Sequence, residues 1–196
     1  MTEHDDLPAA ARTRRLEERL IAAGLTSDDE IDEFLTRLYA SASPVNGAQM
    51  VARAWTDPAF RELLLADGNA AAAVSGFSVP PPRKHGYQLR VVANTDRVHN
   101  VIVCTLCSCY PVSLLGPSPG WYKSFPYRSR TVREPRAVLA EFGMTLPGTV
   151  RISVWDSTSE ARYMVLPARP AGTDALGAEQ LAALVTRNGL IGTALV

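Results

Sequence analysis

Neither sign of charge prevails in this chain: 20 Lys and Arg stand against 20 Asp and Glu across 196 residues. Such a balance sets up no overall field to draw in nucleic acid or anionic lipid, so no nucleic-acid partner is expected. Long apolar runs are missing too. None approaches the ~20 residues that a membrane helix needs, and the opening Met1-Thr2-Glu3-His4-Asp5-Asp6 is acidic where a secretory signal would be basic. The expectation is a cytoplasmic protein without membrane attachment. Cysteine is scarce and odd in number, with Cys104, Cys107 and Cys109 crowded into one short stretch. A secreted disulfide framework would spread an even number along the chain, so that class is excluded. With 46% hydrophobic residues, the chain has apolar side chains for an ordinary core, and its length suits one domain with an appendage.

Helical patterns fill the first part. Leu16, Leu20 and Ile21 form an apolar stripe that stops at Gly24. Ser27 with Glu30 predicts a capping box, followed by Ile31, Phe34, Leu35 and Leu38 at helical spacing and a stop at Pro44. Asp57-Pro58 predicts an N-cap and first-turn proline, leading through Phe60, Leu63 and Leu64 to Gly68, and Ala70 to Ala73 reads as another helical piece. These stripes are narrow, so residues 1–79 are expected to form a helical arm for partner contact. Pro80-Pro81-Pro82 is a stiff boundary, after which β-branched runs appear at 89–92 and 98–103. Residues 150–154 and 161–165 alternate around Asp156-Ser157-Thr158-Ser159 and predict a hairpin, while 136–142 and 178–187 read as helices. Residues 80–196 are therefore expected to be α+β, a small sheet covered by helices.

The run Cys104-Thr105-Leu106-Cys107-Ser108-Cys109 admits three chemical readings. Structural zinc wants four ligands, and the nearby His99 lies in a predicted strand with no spaced partner. A redox pair leaves the third cysteine without a role. The third reading is an unusual metal site. If a metal took the Cys107 sulfur, the amide nitrogens of Ser108 and Cys109 and the Cys109 sulfur, these donors would close fused chelate rings that can lie in one plane, and Cys104 could turn back as an axial sulfur. That donor set suits low-spin trivalent cobalt or iron more than zinc, and the open sixth position is a Lewis-acid site.

At these residues the chain resembles the nitrile hydratase α-subunit. Val103-Cys104-Thr105-Leu106-Cys107-Ser108-Cys109-Tyr110 is similar to that family's metal claw in the version, with Thr and Tyr, that marks cobalt-type enzymes. Further family-like segments are Ala52-Arg53-Ala54-Trp55-Thr56-Asp57-Pro58, Asn94-Thr95, Val98-His99-Asn100-Val101, Trp121-Tyr122-Lys123-Ser124, Tyr127-Arg128-Ser129-Arg130, Val154-Trp155-Asp156-Ser157-Thr158 and 181–192. The resemblance implies a Co(III) centre, with iron the lesser alternative, held by Cys104, Cys107, Ser108 and Cys109. It implies oxidation of Cys107 to the sulfinic and Cys109 to the sulfenic acid. The oxygen on Cys109 would then attack a nitrile carbon, or activate water to do so, and yield an amide. It further implies a β-type subunit whose arginines hold the oxidised sulfurs, a cobalt-insertion chaperone, and activity only in the assembled enzyme.

The chain departs from the family pattern at three places. Val112 stands where most relatives have tryptophan, which points to a bulky or heteroaromatic nitrile. Ala93 replaces an acidic residue, and Gly116-Pro117-Ser118-Pro119-Gly120 replaces a Leu-Pro-Pro pattern. A thiocyanate hydrolase γ-like subunit is the nearer alternative, and a non-catalytic metal or redox module the more distant one. Elsewhere ordinary roles are expected. Trp55 and Trp155 read as packing residues, Trp121 as a pocket residue beside Val112, and His99 as a hydrogen-bonded structural residue. His85 has no assigned role. Lys123, Arg128, Arg130, Arg133 and Arg136 read as a solvated or ion-paired face.

Overall fold

A computed structural model describes residues 9–79, 86–107 and 109–196. The tri-proline boundary, His85 and Ser108 lie outside the described residues. The chain divides into two units, 1–41 and 42–196. In the first, α1 (Ala9–Ala22) ends before Gly24, which takes the left-handed φ of 67° that stops a helix cheaply. Helix α2 (Asp28–Ser41) starts at the predicted capping box: Ser27 Oγ accepts from Glu30 N at 3.2 Å, and Glu30 Oε2 accepts from Ser27 N at 3.0 Å. Leu16, Leu20, Phe34, Leu35 and Tyr39 remain exposed.

The second unit holds α3 (Pro44–Thr56), α4 (Pro58–Ala66), α5 (Gly68–Val74), β1 (Gln88–Ala93), β2 (Val98–Val103), α6 (Val112–Leu115), a 3-10 turn (Gly120–Lys123), α7 (Phe125–Arg133), α8 (Pro135–Glu141), β3 (Arg151–Asp156), β4 (Ala161–Leu166), α9 (Ala178–Leu184) and α10 (Arg187–Ile191). Helices α3 to α5 contradict the arm boundary expected at residue 79. Met50, Val51, Leu64, Ala71 and Ala72 are fully buried in one core with β1, β2 and β4. Small residues explain why narrow stripes suffice. A Cβ on Gly47 would lie 2.8 Å from Leu114 O, and one on Gly68 would lie 2.7 Å from Leu89 O, so these helices approach their neighbours backbone to backbone. Pro44 begins α3 with Ser43 as its cap, rather than merely ending α2, and Gly68 begins α5 behind the Asp67 cap.

The expected hairpin also gives way. Strand β1 pairs in parallel with β4, and β2 in parallel with β3, so the two strands around Ser157 enter different two-stranded sheets. Ser157 is buried and its N–H donates to Val103 O, extending the β2 ladder where a hairpin would fold back. The helix predicted over 178–187 is broken, and Thr186 Oγ1 caps α10 through Gly189 N at 3.1 Å.

Buried polar groups then fix β2. His99 Nε2 donates to Gly192 O at 2.8 Å, leaving Nδ1 to accept from the Asn94 amide at 3.3 Å. Burial holds the imidazole below its usual range, the Gly192 bond opposing the shift. Gly192, at φ 88°, has no alternative here, because a Cβ would fall 2.0 Å from Asn100 O. Trp55 and Trp155 pack as expected, their indole N–H groups donating to Pro167 O and Asn100 Oδ1, each at 2.8 Å.

Candidate metal centre

Strand β2 delivers Val101, Ile102 and Val103, all buried, straight into a fully buried Cys104. Beyond it the ladder ends and the chain turns on sulfur. Cys107 N donates to Cys104 Sγ at 3.2 Å, and the sulfurs follow at 3.3 Å from Cys104 to Cys107 and 3.1 Å from Cys107 to Cys109. All three lie within 4.8 Å of one another, with Cys104 buried, Cys109 half-buried and Cys107 exposed. The structure thus brings together the three predicted sulfur ligands, while the fourth predicted donor, Ser108, is among the residues not described.

Surrounding elements hold this loop from several sides. Asp156, paired across from Val103 at the end of β3, accepts from Thr105 N at 2.9 Å and from Thr105 Oγ1 at 2.5 Å. Arg128 on α7 donates to the carbonyls of Cys104 and Thr105 at 3.1 and 2.7 Å. Tyr122 Oη donates to Cys109 O at 3.0 Å, and Arg162 on β4 donates to Tyr110 O at 2.8 Å. Beneath, Trp121, Tyr127 and Phe142 pack edge to face at 4.7–4.8 Å between the Trp121 ring and the other two.

Burial pushes the Cys109 thiol up to about 12. The hydrogen bond and charge of Cys107 and the charge of Cys104 add to the rise, and Arg162 opposes it. Three soft sulfur donors within 4.8 Å of one another fit a multivalent cation, which binds them as thiolates. Sulfur donors hold cobalt or iron as readily as they hold zinc, so the residues present fit the metal that the resemblance implies.

Sequence reasoning did not assign Asp156, Arg162 or Tyr122 to the site. Asp156 looked like a turn residue, and Arg162 like the polar member of an alternating strand. Arg128 was counted in a basic face that the structure divides: Arg130 pairs with Glu134 and Glu141, each at 2.6 Å, and Arg136 donates to the carbonyls of Leu146, Pro147 and Val150. Val112 begins α6 half-buried, and Trp121 is half-buried in the aromatic cluster. Ala93 ends β1, where its carbonyl accepts from Asn100 Nδ2 at 2.8 Å. A cavity of about 670 Å³ lies between α3 and α9, and neither Val112 nor Trp121 lines it.

Residues 8–194 match the family model for the nitrile hydratase α chain. The chain belongs to that family. It is 49% identical over 183 residues to the α-subunit of a low-molecular weight cobalt-containing nitrile hydratase from Rhodococcus rhodochrous, covering 93% of this chain and 86% of the relative. It is 48% identical over 158 residues to the γ-subunit of thiocyanate hydrolase from Thiobacillus thioparus, covering 77% of this chain and 65% of that one. Among solved structures, a double mutant of the Fe-type nitrile hydratase from Comamonas testosteroni Ni1 superimposes with a TM-score of 0.87 at 42% identity, over 96% of this chain and 92% of the other. The α+β fold expected for this nitrile hydratase α-chain relative is the one found.

Proposed function

We propose that this chain is the metal-bearing subunit of a nitrile hydratase that converts a bulky or heteroaromatic nitrile to its amide at a low-spin Co(III) centre. The convergence of the Cys104, Cys107 and Cys109 sulfurs within 4.8 Å, in a segment of cobalt-type sequence, carries this reading. Those sulfurs, with the amide nitrogens of Ser108 and Cys109, would hold the ion. When bound, it supplies a Lewis-acid position for the nitrile. Cys109 is half-buried beside an exposed Cys107; once oxidised, its sulfur would supply the oxygen that acts on the nitrile carbon, directly or through water. In the net reaction the water oxygen bonds to carbon and both water protons end on nitrogen. Val112 and Trp121 would line the substrate pocket, and an isopropyl group in place of an indole would leave room there for a ring.

The site is completed by a partner. Leu106 within the claw is 84% exposed, and Phe125 at the start of α7 is 77% exposed, an apolar rim suited to coverage by a β-type subunit. The exposed stripes of α1 and α2 support the same role for the arm, and a cobalt-insertion chaperone would load the metal. The reading places the enzyme in the cytoplasm. No helix among the described residues is long and apolar enough to cross a membrane.

Metal analysis of the co-purified complex, with sulfur oxidation states by mass spectrometry, tests the reading. About one cobalt per chain is expected, with sulfinic Cys107 and sulfenic Cys109. Tetrahedral zinc on three unmodified thiolates in an active complex would overturn it. The similarity to a thiocyanate hydrolase subunit keeps a second reading open. Turnover of thiocyanate in preference to an aromatic nitrile would decide for that alternative.

A further inference from the structure

Two arginines grip the backbone on either side of the cysteine loop. Arg128, from α7, forks onto consecutive carbonyls, Nε to Cys104 O at 3.1 Å and Nη2 to Thr105 O at 2.7 Å. Arg162, from β4, donates Nη1 to Tyr110 O at 2.8 Å and lies with its guanidinium carbon 4.2 Å over the Tyr87 ring. Its Nε is buried with no hydrogen-bond partner among the described residues, so the side chain tolerates a cost to stay where it is. The carbonyls that the two arginines grip, at residues 104–105 and at 110, mark the two ends of the stretch that carries the cluster.

A short loop carrying three converging sulfurs has little reason to keep that shape alone. Its regular pairing ends at Ser157 N to Val103 O, and the three sulfurs crowd within 4.8 Å of one another. Planar guanidinium forks fix the direction of the carbonyls they bind, which a lysine ammonium does not. The two anchors also come from separate elements, α7 and β4, each packed into the main core through Tyr127 and through Tyr163, Met164 and Val165. The loop ends therefore inherit the rigidity of the core.

We propose that Arg128 and Arg162 are paired positioning residues that hold the two ends of the cysteine loop in place before the metal arrives, Arg128 through the carbonyls of Cys104 and Thr105 and Arg162 through that of Tyr110. This rests on the reading of the three thiols as a metal centre. Arg130 is an internal control, since it sits on the same helix but spends its guanidinium on Glu134 and Glu141.

The test uses the full chain assembled with its partner, prepared metal-free and titrated with cobalt(II) chloride. Retention of bound cobalt against a chelator is followed by the sulfur-to-cobalt absorption band. Arg128→Lys and Arg162→Lys are each expected to weaken cobalt affinity by about 10–100-fold, the usual range for losing an outer-shell support. Both should also hasten cobalt loss, whereas Arg130→Lys should behave as the parent. Circular dichroism separates this from unfolding, and if one variant does not fold, the other carries the test from the opposite end of the loop. Parental affinity and retention in the folded lysine variants would overturn the assignment. Failure of the parent itself to bind cobalt would instead overturn the metal-centre reading.

Discussion

Asp156 binds both the N–H and the hydroxyl of Thr105, at 2.9 and 2.5 Å, from a position directly across the parallel β2–β3 pair from Val103. The strand register, and no local feature of the cysteine motif, puts that carboxylate within reach of the claw. Asp156→Asn keeps the size but loses the charge, and its amide N–H2 faces the Thr105 donors. Hydrogen bonds to a charged group are worth roughly 1.5–3 kcal/mol, discounted here because Asp156 is exposed. The expected outcome is a cobalt content below parent with a melting temperature within a few degrees of it, read by metal analysis and calorimetry. Parental cobalt retention would show that Thr105 needs no such anchor.

Each sulfur of the cluster has a separate place, so each should be indispensable. Cys104→Ser, Cys107→Ser and Cys109→Ser are expected to abolish nitrile hydration and to lower bound cobalt, because a hydroxyl is a harder donor than a thiolate. Metal content per folded chain is the measurement. A serine variant with a full complement of cobalt and parental turnover would remove that sulfur from the ligand set.

Substrate size should depend on position 112. Val112→Trp is expected to lower kcat/KM for an aromatic or heterocyclic nitrile far more than for acetonitrile or propionitrile. Small changes in an apolar pocket shift discrimination by about 1–3 kcal/mol, and an indole in the path of a ring exceeds that. Equal losses on the large and small nitrile would take size selection away from this position, and the expectation of a bulky substrate with it.

Acid should weaken the second unit through His99. Its folded pKa lies below the unfolded value of 6.5, so the unfolded chain binds the extra proton first. The stabilisation from a neutral His99 is complete above that value and is lost as pH falls through the folded pKa. A protonated ring would also turn a donor toward the Asn94 amide, where Nδ1 now accepts. Melting temperature between pH 7.5 and pH 5 should fall more steeply in the parent than in His99→Gln. Parallel curves would show that His99 does not carry the acid sensitivity.

Local chemistry was legible without a fold. The spacing of Cys104, Cys107 and Cys109 places donors on one short loop whatever surrounds it, and the Ser27–Glu30 box and the Asp57-Pro58 start are decided within a single turn. Periodicity also shows which face of a segment is apolar, but not whether that face is buried or against what. The alternation in β3 and β4 is the same for a hairpin as for two crossovers into separate parallel pairs, and the stripes of α3 to α5 look alike on an arm or on a core. Only the packed chain chose between them, because buried backbone groups must all find partners and Gly47 and Gly68 let helices come close enough to bury narrow stripes. The same packing brought Arg128, Asp156 and Arg162, scattered over some thirty-five residues of sequence, to the two ends of one loop.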